Sequence, residues 1–383
     1  MRVAIDAVGI RAGGGEALLR DFLRWLPIAR PEWEWKVYML PARDRFLPDP
    51  AAHPRREIEH AELGAFGLGR FLWLLRGLPK RLRLARADVL FSFANTGALG
   101  GNVPQVTYLQ QSLAFPAGRK IPGTFLYRLR LDILRALVLR GASKSAYLIV
   151  QTEDMRRRVA VHAPRLSSRL KVIPGCVAEV EQEDEIRAEK RAQIDLSGWP
   201  RLVYIANAAI QKNHAALMRA IPLIAARFPK ACLLITLDEA PVTAHDKNYI
   251  EPLRALTTEL GIRRHVVWLG MLRRSEVRYA LRNSTLAVYP SVEESFGLPL
   301  AEAIVEGCPL AASDLPYARD VAGQAAVYFD PASPASIASV VIETVERPEK
   351  LIELRTEQAR RAARFNPLLV AEQIAQCLES ALQ

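Results

Sequence analysis

The sequence predicts an α/β protein of two Rossmann-like domains, each a parallel sheet covered by helices. Three observations carry this. The chain has 383 residues, enough for two domains that each bury a core. In both halves, short apolar runs of strand character alternate with longer segments of helical period, the pattern of parallel sheets with crossover helices. The same rhythm occurs twice, with the acidic stretch 179–189, which lacks a strong apolar period, between the two runs.

In the first half the strand candidates are Val3–Ile5, Lys36–Leu40, Val89–Phe93, Gln105–Leu109, Tyr147–Val150 and Lys171–Ile173. In the second they are Leu202–Ala206, Cys232–Leu237, His265–Leu269, Leu286–Tyr289, Pro309–Ala312 and Ala326–Phe329. Helices fill the gaps. Leu217, Ile221, Ile224 and Phe228 recur at helical spacing, and Leu369, Ile374, Leu378 and Leu382 give a final helix the same period. The expected division is residues 1–175, a linker 176–199, residues 200–365, and a terminal helix 366–383 that packs back on the first domain. Ligands of such sheets bind at the carboxyl ends of the strands, so two such domains facing across a cleft hold two substrates.

Charged residues at 24% and hydrophobic residues at 50% are ordinary for a globular chain. No apolar run reaches the ~18–20 residues of a membrane-spanning helix. The opening MRVAIDAVGI enters a strand without a signal-peptide pattern, and Cys176, Cys232, Cys308 and Cys377 are scattered with no C-x-x-C pair. Buried inert thiols in a reducing cytoplasm are the expectation, with no zinc site or disulfide framework. The net charge of +11 is asymmetric. Through Lys171 there are 29 Lys and Arg against 14 Asp and Glu, so the positive excess belongs to the first half, which is where an anionic partner is expected.

The densest chemistry lies in 290–315. Leu286–Tyr289 reads as a strand, 291–297 as a polar turn, and Pro299 suits the first helical position, where a missing N–H costs nothing. Leu300, Ile304 and Val305 give the helix an apolar side, and Gly307 ends it. The N–H groups near Ser295, Phe296, Gly297 and Leu298 then sit at a helix N-terminus, an anion site. Glu294 and Glu302 flank it, suited to the hydroxyls of a sugar and a ribose on either side of a diphosphate. Taken singly, each is a solvated carboxylate. Following the strand LVYIAN, Lys212 can reach a diphosphate as a point charge and Asn213 can cap the next helix; alone, this is a capped helix beside an exposed lysine. Gly13, Gly14 and Gly15 form a strand-to-helix turn before a helix expected over Ala17–Trp25. Gln110 and Gln111 follow another strand.

The stretch resembles the signature of the retaining GT-B glycosyltransferases of family four (glycosyl transferases group 1), whose motif has two glutamates separated by seven residues, here Glu294 and Glu302. The resemblance runs on through Asp314 and the segment 320–326 to Asp330 and Pro331. It is specific over about 202–331 and weaker elsewhere. It implies a GT-B architecture that moves a sugar from a nucleoside diphosphate sugar to an acceptor hydroxyl, with retention and without a metal. No cofactor is implied beyond that co-substrate. Lys212 is implied at the donor phosphates, and Gly14 and Gly15 at the floor of the acceptor site. The chain departs from the family at two places. Asn207 stands where an arginine is usual, which removes a charge from the diphosphate site. Gln110 stands where a histidine is frequent, and an amide cannot take a proton. Overall the chain is similar to bacterial surface-polysaccharide mannosyltransferases, so GDP-mannose is the expected donor with UDP-sugars as the alternative. The expected acceptor is a glycan or lipid-linked glycan.

Two basic amphipathic stretches, 66–86 and 119–144, suit an anionic membrane surface, or alternatively core-facing helices with a solvated basic face. A cytoplasmic enzyme peripheral to the inner face of the membrane follows. Nucleic acid is not an expected partner, since no aromatic platform or zinc module accompanies the charge. A GT-B sugar-nucleotide epimerase and a non-catalytic sugar-nucleotide-binding module are the rival readings.

Overall fold

The computed structural model describes residues 1–10, 13–41, 55–63, 66–116, 125–178, 185–240 and 243–383. The expectations for 119–124 of the second basic stretch and for 179–184 of the acidic segment lie outside these residues.

The chain divides into two compact units. The first is Met1–Cys176 with Arg364–Gln383, and the second is Val177–Ala363. In the first unit the order is β1 (Arg2–Asp6), α1 (Gly14–Ala29), β2 (Glu34–Met39), β3 (Arg56–His60), α2 (Phe66–Leu72), a π-helical turn (Trp73–Gly77), α3 (Leu78–Leu84), β4 (Val89–Ser92), β5 (Gln105–Tyr108), α4 (Phe125–Ser143), β6 (Tyr147–Val150), α5 (Glu153–His162) and β7 (Leu170–Val172). The second unit has α6 (Ala188–Asp195), β8 (Arg201–Tyr204), α7 (His214–Arg227), β9 (Cys232–Ile235), α8 (Ala244–Glu259), β10 (Val266–Trp268), α9 (Arg274–Arg282), β11 (Leu286–Tyr289) and α10 (Leu298–Val305). It continues with β12 (Leu310–Ser313), α11 (Pro316–Ala322), β13 (Val327–Phe329), α12 (Pro334–Val345) and α13 (Pro348–Ala362). The last helix, α14 (Pro367–Ser380), returns to the first unit.

Both sheets are parallel throughout, ordered β3-β2-β1-β4-β5-β6-β7 and β10-β9-β8-β11-β12-β13. Strands covered on both faces read as continuous apolar runs. Accordingly β4, β5, β9 and β11 are buried at every position. The first core centres on Phe22, Phe91, Phe93 and Tyr108, with Phe93 stacked on Tyr108 at 5.3 Å. Against this unit α14 buries Val370, Ile374 and Leu378, while Leu369 and Leu382 remain half exposed. Arg30 at the end of α1 donates to Glu379 of α14 at 2.7 Å.

The structure departs from the expectations in three places. Strand β3 has polar residues at four of its five positions and sits at the sheet edge, where the sequence carries no apolar signal. Lys36 of β2 ties it down through Glu57 at 3.0 Å and Glu59 at 3.1 Å. The segment 176–199, expected to be a linker, contributes α6 to the second unit. Arg187 at its start binds the buried carboxylate of Glu276 at 2.7 Å, and this pairing pulls the Glu276 pKa down to about 2. Helix α1 begins at Gly14 rather than Ala17, so Gly14 and Gly15 are its first two residues and not a loop. The turn is made by Gly13, whose φ of 79° lies in the left-handed region open to glycine.

Candidate functional site

In the second sheet the chain runs outward from β8 to β10, then restarts at β11 and runs the other way to β13. The reversal between β8 and β11 is a topological switch point, where an open parallel sheet presents a crevice at its carboxyl edge. The β8–α7 segment carries Asn207, Lys212 and Asn213. The β11–α10 segment carries Glu294, Ser295, Phe296 and Gly297.

Several hydrogen bonds brace the two segments. The Val292 N–H donates to the Gln211 carbonyl at 2.8 Å. The buried Tyr204 hydroxyl at the end of β8 donates to the Lys212 carbonyl at 2.7 Å and lies 3.0 Å from Ser291 Oγ. Asn213 adopts φ 57°, a left-handed conformation that asparagine tolerates. Its side chain does not cap α7 as expected; Nδ2 instead donates to the carbonyls of Pro290 at 3.2 Å and Pro331 at 2.8 Å. The left-handed backbone turns the amide away from the helix and toward those loops.

On this frame Lys212 and Glu294 meet. Lys212 Nζ is 2.5 Å from Glu294 Oε1, with each side chain about one-seventh exposed. The Tyr289 hydroxyl donates to the same oxygen at 3.0 Å. Glu294 therefore has one oxygen held by two donors. Phe296 is buried beneath the loop, Ser295 is half-buried and Asn207 is exposed, outside this bracing.

Helix α10 starts at Leu298, which places Pro299 at its second position instead of the first. Pro299 has no N–H, and the Leu300 N–H is taken by the Gly297 carbonyl at 2.9 Å. The N–H groups of Gly297 and Leu298 are the donors this end presents. Glu302 is half-buried in the second turn. The helix closes on Gly307, with Cys308 N–H bonded to Ala303 O at 2.9 Å. Gly297 has φ 81°, and a Cβ there would come 3.0 Å from Leu300 Cδ1 in the packed core. Gly297→Ala is expected to cost about 1–2 kcal/mol through backbone strain. A fall of a few degrees in the unfolding midpoint checks this, and an unchanged midpoint refutes it.

The first unit has its own switch point, between β1 and β4. There the structure gathers the acceptor-side candidates. A Cβ on Gly15 would lie 3.1 Å from Gln110 Oε1. The Gln110 amide is fixed in that pose, since Nε2 donates to the Phe93 carbonyl at 2.9 Å and its backbone N–H donates to Asn95 Oδ1 at 2.6 Å. Gln111 is turned to its own loop and accepts from Leu113 N–H at 3.3 Å. Beside them Asp6, fully buried at the end of β1, accepts from Arg70 at 2.8 Å and from Trp73 Nε1 at 3.1 Å. Within the basic stretch 66–86, Arg70 is committed to Asp6 and Arg81 to Glu59 and Trp73 and Leu74 are core, while Leu68, Phe71 and Leu72 are exposed.

Residues 186–364 match the glycosyl transferases group 1 family. That segment contains Lys212, Glu294, Glu302 and all of α10. Among curated proteins, the chain is 26% identical over 113 residues to the O-antigen chain mannosyltransferase RfbU of Salmonella typhimurium, covering 30% of this chain and 32% of RfbU. It is 24% identical over 243 residues to the D-inositol 3-phosphate glycosyltransferase of Corynebacterium glutamicum, covering 61% of this chain and 57% of that protein. The chain thus spans about a third to somewhat over half the length of these relatives. Among solved structures, HepE of Anabaena, determined with UDP-glucose, superimposes with a TM-score of 0.77 at 16% identity over 99% of this chain and 100% of HepE. WaaG, a glycosyltransferase involved in lipopolysaccharide biosynthesis, does so at 0.71 and 16% identity, over 98% of this chain and 99% of WaaG. The fold is GT-B.

Residue-by-residue reading missed the supports of the site. Tyr204 and Tyr289 end β8 and β11, and Tyr317 donates to the Ser291 carbonyl at 2.7 Å. Their signal was visible: both strands beside the switch point end in tyrosine. Asp6 gave a similar sign, as a charge closing an otherwise apolar strand.

Proposed function

We propose that the protein is a retaining glycosyltransferase that moves a hexose from a nucleoside diphosphate sugar to a hydroxyl of a glycan or lipid-linked glycan in surface-polysaccharide synthesis. The observation that carries this is the braced Lys212–Glu294 pair beside the N-terminus of α10, at the switch point of the second unit and inside the family match. The bond between the anomeric carbon and the phosphate oxygen breaks, leaving a positive ring and a diphosphate that gains one negative charge on its terminal phosphate. Lys212 and the Gly297 and Leu298 N–H groups stabilise the leaving group, an electrostatic task of the oxyanion-hole kind. Glu294 binds hydroxyls of the transferred sugar and favours its positive charge, and Glu302 holds the ribose. A diphosphate competes with Glu294 for the Lys212 ammonium, so donor binding frees the carboxylate for the sugar.

Gln110 cannot act as a base. We therefore assign the acceptor proton to the departing phosphate oxygen, with attack on the same face and no metal required. Gly14, Gly15, Gln110 and Gln111 serve the acceptor. Asn207 leaves the diphosphate with one fewer cation than an arginine would supply. GDP-mannose is the favoured donor, supported by the mannosyltransferase name of RfbU, with UDP-sugars second. The proposed setting is the cytoplasmic face of the membrane; among the described residues no helix is long and apolar enough to cross it.

A thermal-shift screen against UDP, GDP and their sugars tests the reading. The matching nucleotide is expected to raise the unfolding midpoint by several degrees at ~100 times its Kd, and no shift with any of them refutes a donor site. Nucleotide release that depends on an added glycan separates transfer from an epimerase, which consumes donor without acceptor, and from a binding module, which releases none.

A further inference from the structure

A buried tyrosine hydroxyl needs a hydrogen-bond partner, and a backbone carbonyl suffices. Three buried tyrosines brace the β8–α7 and β11–α10 segments. Two of them meet the need in that way: Tyr204 donates to the Lys212 carbonyl and Tyr317 to the Ser291 carbonyl. Tyr289 does not. Its hydroxyl donates to a side-chain carboxylate, Glu294 Oε1, at 3.0 Å. Lys212 Nζ binds the same oxygen, and among the described residues Glu294 Oε2 has no hydrogen-bond partner.

The Tyr289 ring is held as firmly as its hydroxyl. It is 3% exposed and meets the Tyr204 ring edge-on at 5.4 Å. It also packs against the turn before α10, since a Cβ on Gly297 would lie 3.6 Å from Tyr289 Cε1. Ser313 Oγ donates to the Tyr289 carbonyl at 3.3 Å. One rigid side chain therefore reaches from the glycine at the helix tip to the carboxylate of Glu294 and fixes the spacing between them. Burial raises the phenol pKa well above 10, so the hydroxyl keeps its proton and stays a donor.

We propose that Tyr289 is a positioning residue for glycosyl transfer: it holds Glu294 in place once a diphosphate has drawn Lys212 away, with Oε2 turned to the sugar. This rests on the proposed donor site and deepens it. Of the two donors on Oε1, Lys212 is the charged one, and a diphosphate competes for it. Tyr289 is neutral and buried, so it stays with the carboxylate. Without that anchor the glutamate has side-chain freedom to lose each time the reacting geometry forms.

Tyr289→Phe keeps the ring against Gly297 and Tyr204 and removes only the hydroxyl. Calorimetric titration is expected to give a nucleoside diphosphate Kd within about twofold of wild type, while the nucleotide-sugar Kd rises about fivefold and kcat for transfer falls about tenfold to thirtyfold. In a Glu294→Ala background the same change is expected to cost no more than about twofold further, because the hydroxyl acts through that carboxylate alone. A hydroxyl serving only packing would lower the unfolding midpoint and leave the split between the two ligands unmoved. Wild-type kcat in Tyr289→Phe overturns the proposal. So does equal weakening of both ligands, or a loss of the same size with and without Glu294. Each of these leaves the donor site standing, since nucleotide binding is read in the same titrations. A wild type that binds no nucleotide refutes the donor site itself, and this role with it.

Discussion

Replacing Lys212 with alanine is expected to lower glycosyl transfer by about 100- to 1,000-fold, and replacing Glu294 with alanine by a similar factor, while the fold survives. The magnitude is that of removing one preorganised charge from a group that develops charge in the transition state. Lys212 is the cation fixed at the switch point by three features: the Tyr204 bond to its carbonyl, the Val292–Gln211 bond beside it, and the Asn213 amide that anchors the next residue. None of these contacts uses its ammonium, so alanine removes the charge and leaves the bracing.

Glu294→Ala acts differently. It removes the sugar-facing carboxylate and also leaves Lys212 and the Tyr289 hydroxyl without that partner. The conservative Glu294→Gln keeps an acceptor for both donors and removes only the charge. It therefore separates electrostatics from geometry: a loss in kcat close to that of alanine identifies the charge as the active element. Because the two side chains touch, their effects are expected to be non-additive, with the double variant little worse than either single one. The measurement is initial-rate transfer with the nucleotide sugar found by thermal shift, alongside unfolding midpoints. Near-wild-type turnover in both alanine variants would remove these residues from the reaction.

Much of this arrangement was readable in advance, for identifiable reasons. The strands of both sheets are covered on two faces, so their apolar runs stand out from the helical period. The turn at Gly297 and the stop at Gly307 are marked by glycine. What was not readable depends on chain segments meeting in space. β3 is held by Lys36 from another strand, and REIEH carries no apolar pattern to announce it. Asn213 looked like a helix cap because asparagine commonly is one. Its left-handed backbone and the two carbonyls it binds, 77 and 118 residues away, are visible only in three dimensions. Arg70 looked like surface charge until the fold brought Asp6 beneath it. Local spacing predicts where the chain turns and which groups stand at the turn. It does not predict which distant partner has already claimed them.

Acidification from pH 7 to 5 is expected to weaken the protein through His214. Its ring is buried at the start of α7, with centroid 4.7 Å from Tyr204 and Nδ1 3.0 Å from the Tyr249 hydroxyl. Burial, aided by the positive charge of Lys212, lowers its pKa from the usual 6.5 to about 3. In the unfolded chain the imidazole takes a proton as pH falls below about 6.5, while in the folded chain it stays neutral until about 3. The unfolded state binds more protons throughout that window, so stability is lost as pH drops, by a little over 1 kcal/mol per pH unit and about 3 kcal/mol by pH 4.5. Glu276, held near 2 by Arg187, contributes stability that is present above about 4.5 and lost below it, so the two groups separate. His214→Phe keeps a ring against Tyr204 and removes the ionisation. It leaves the Tyr249 hydroxyl without this partner, a cost that does not vary over this range, so the slope with pH is the quantity to read. Chemical denaturation at pH 7, 6 and 5 is expected to show a falling free energy for the wild type and a flatter one for the variant. Equal slopes in the two proteins would mean that His214 does not couple protons to folding.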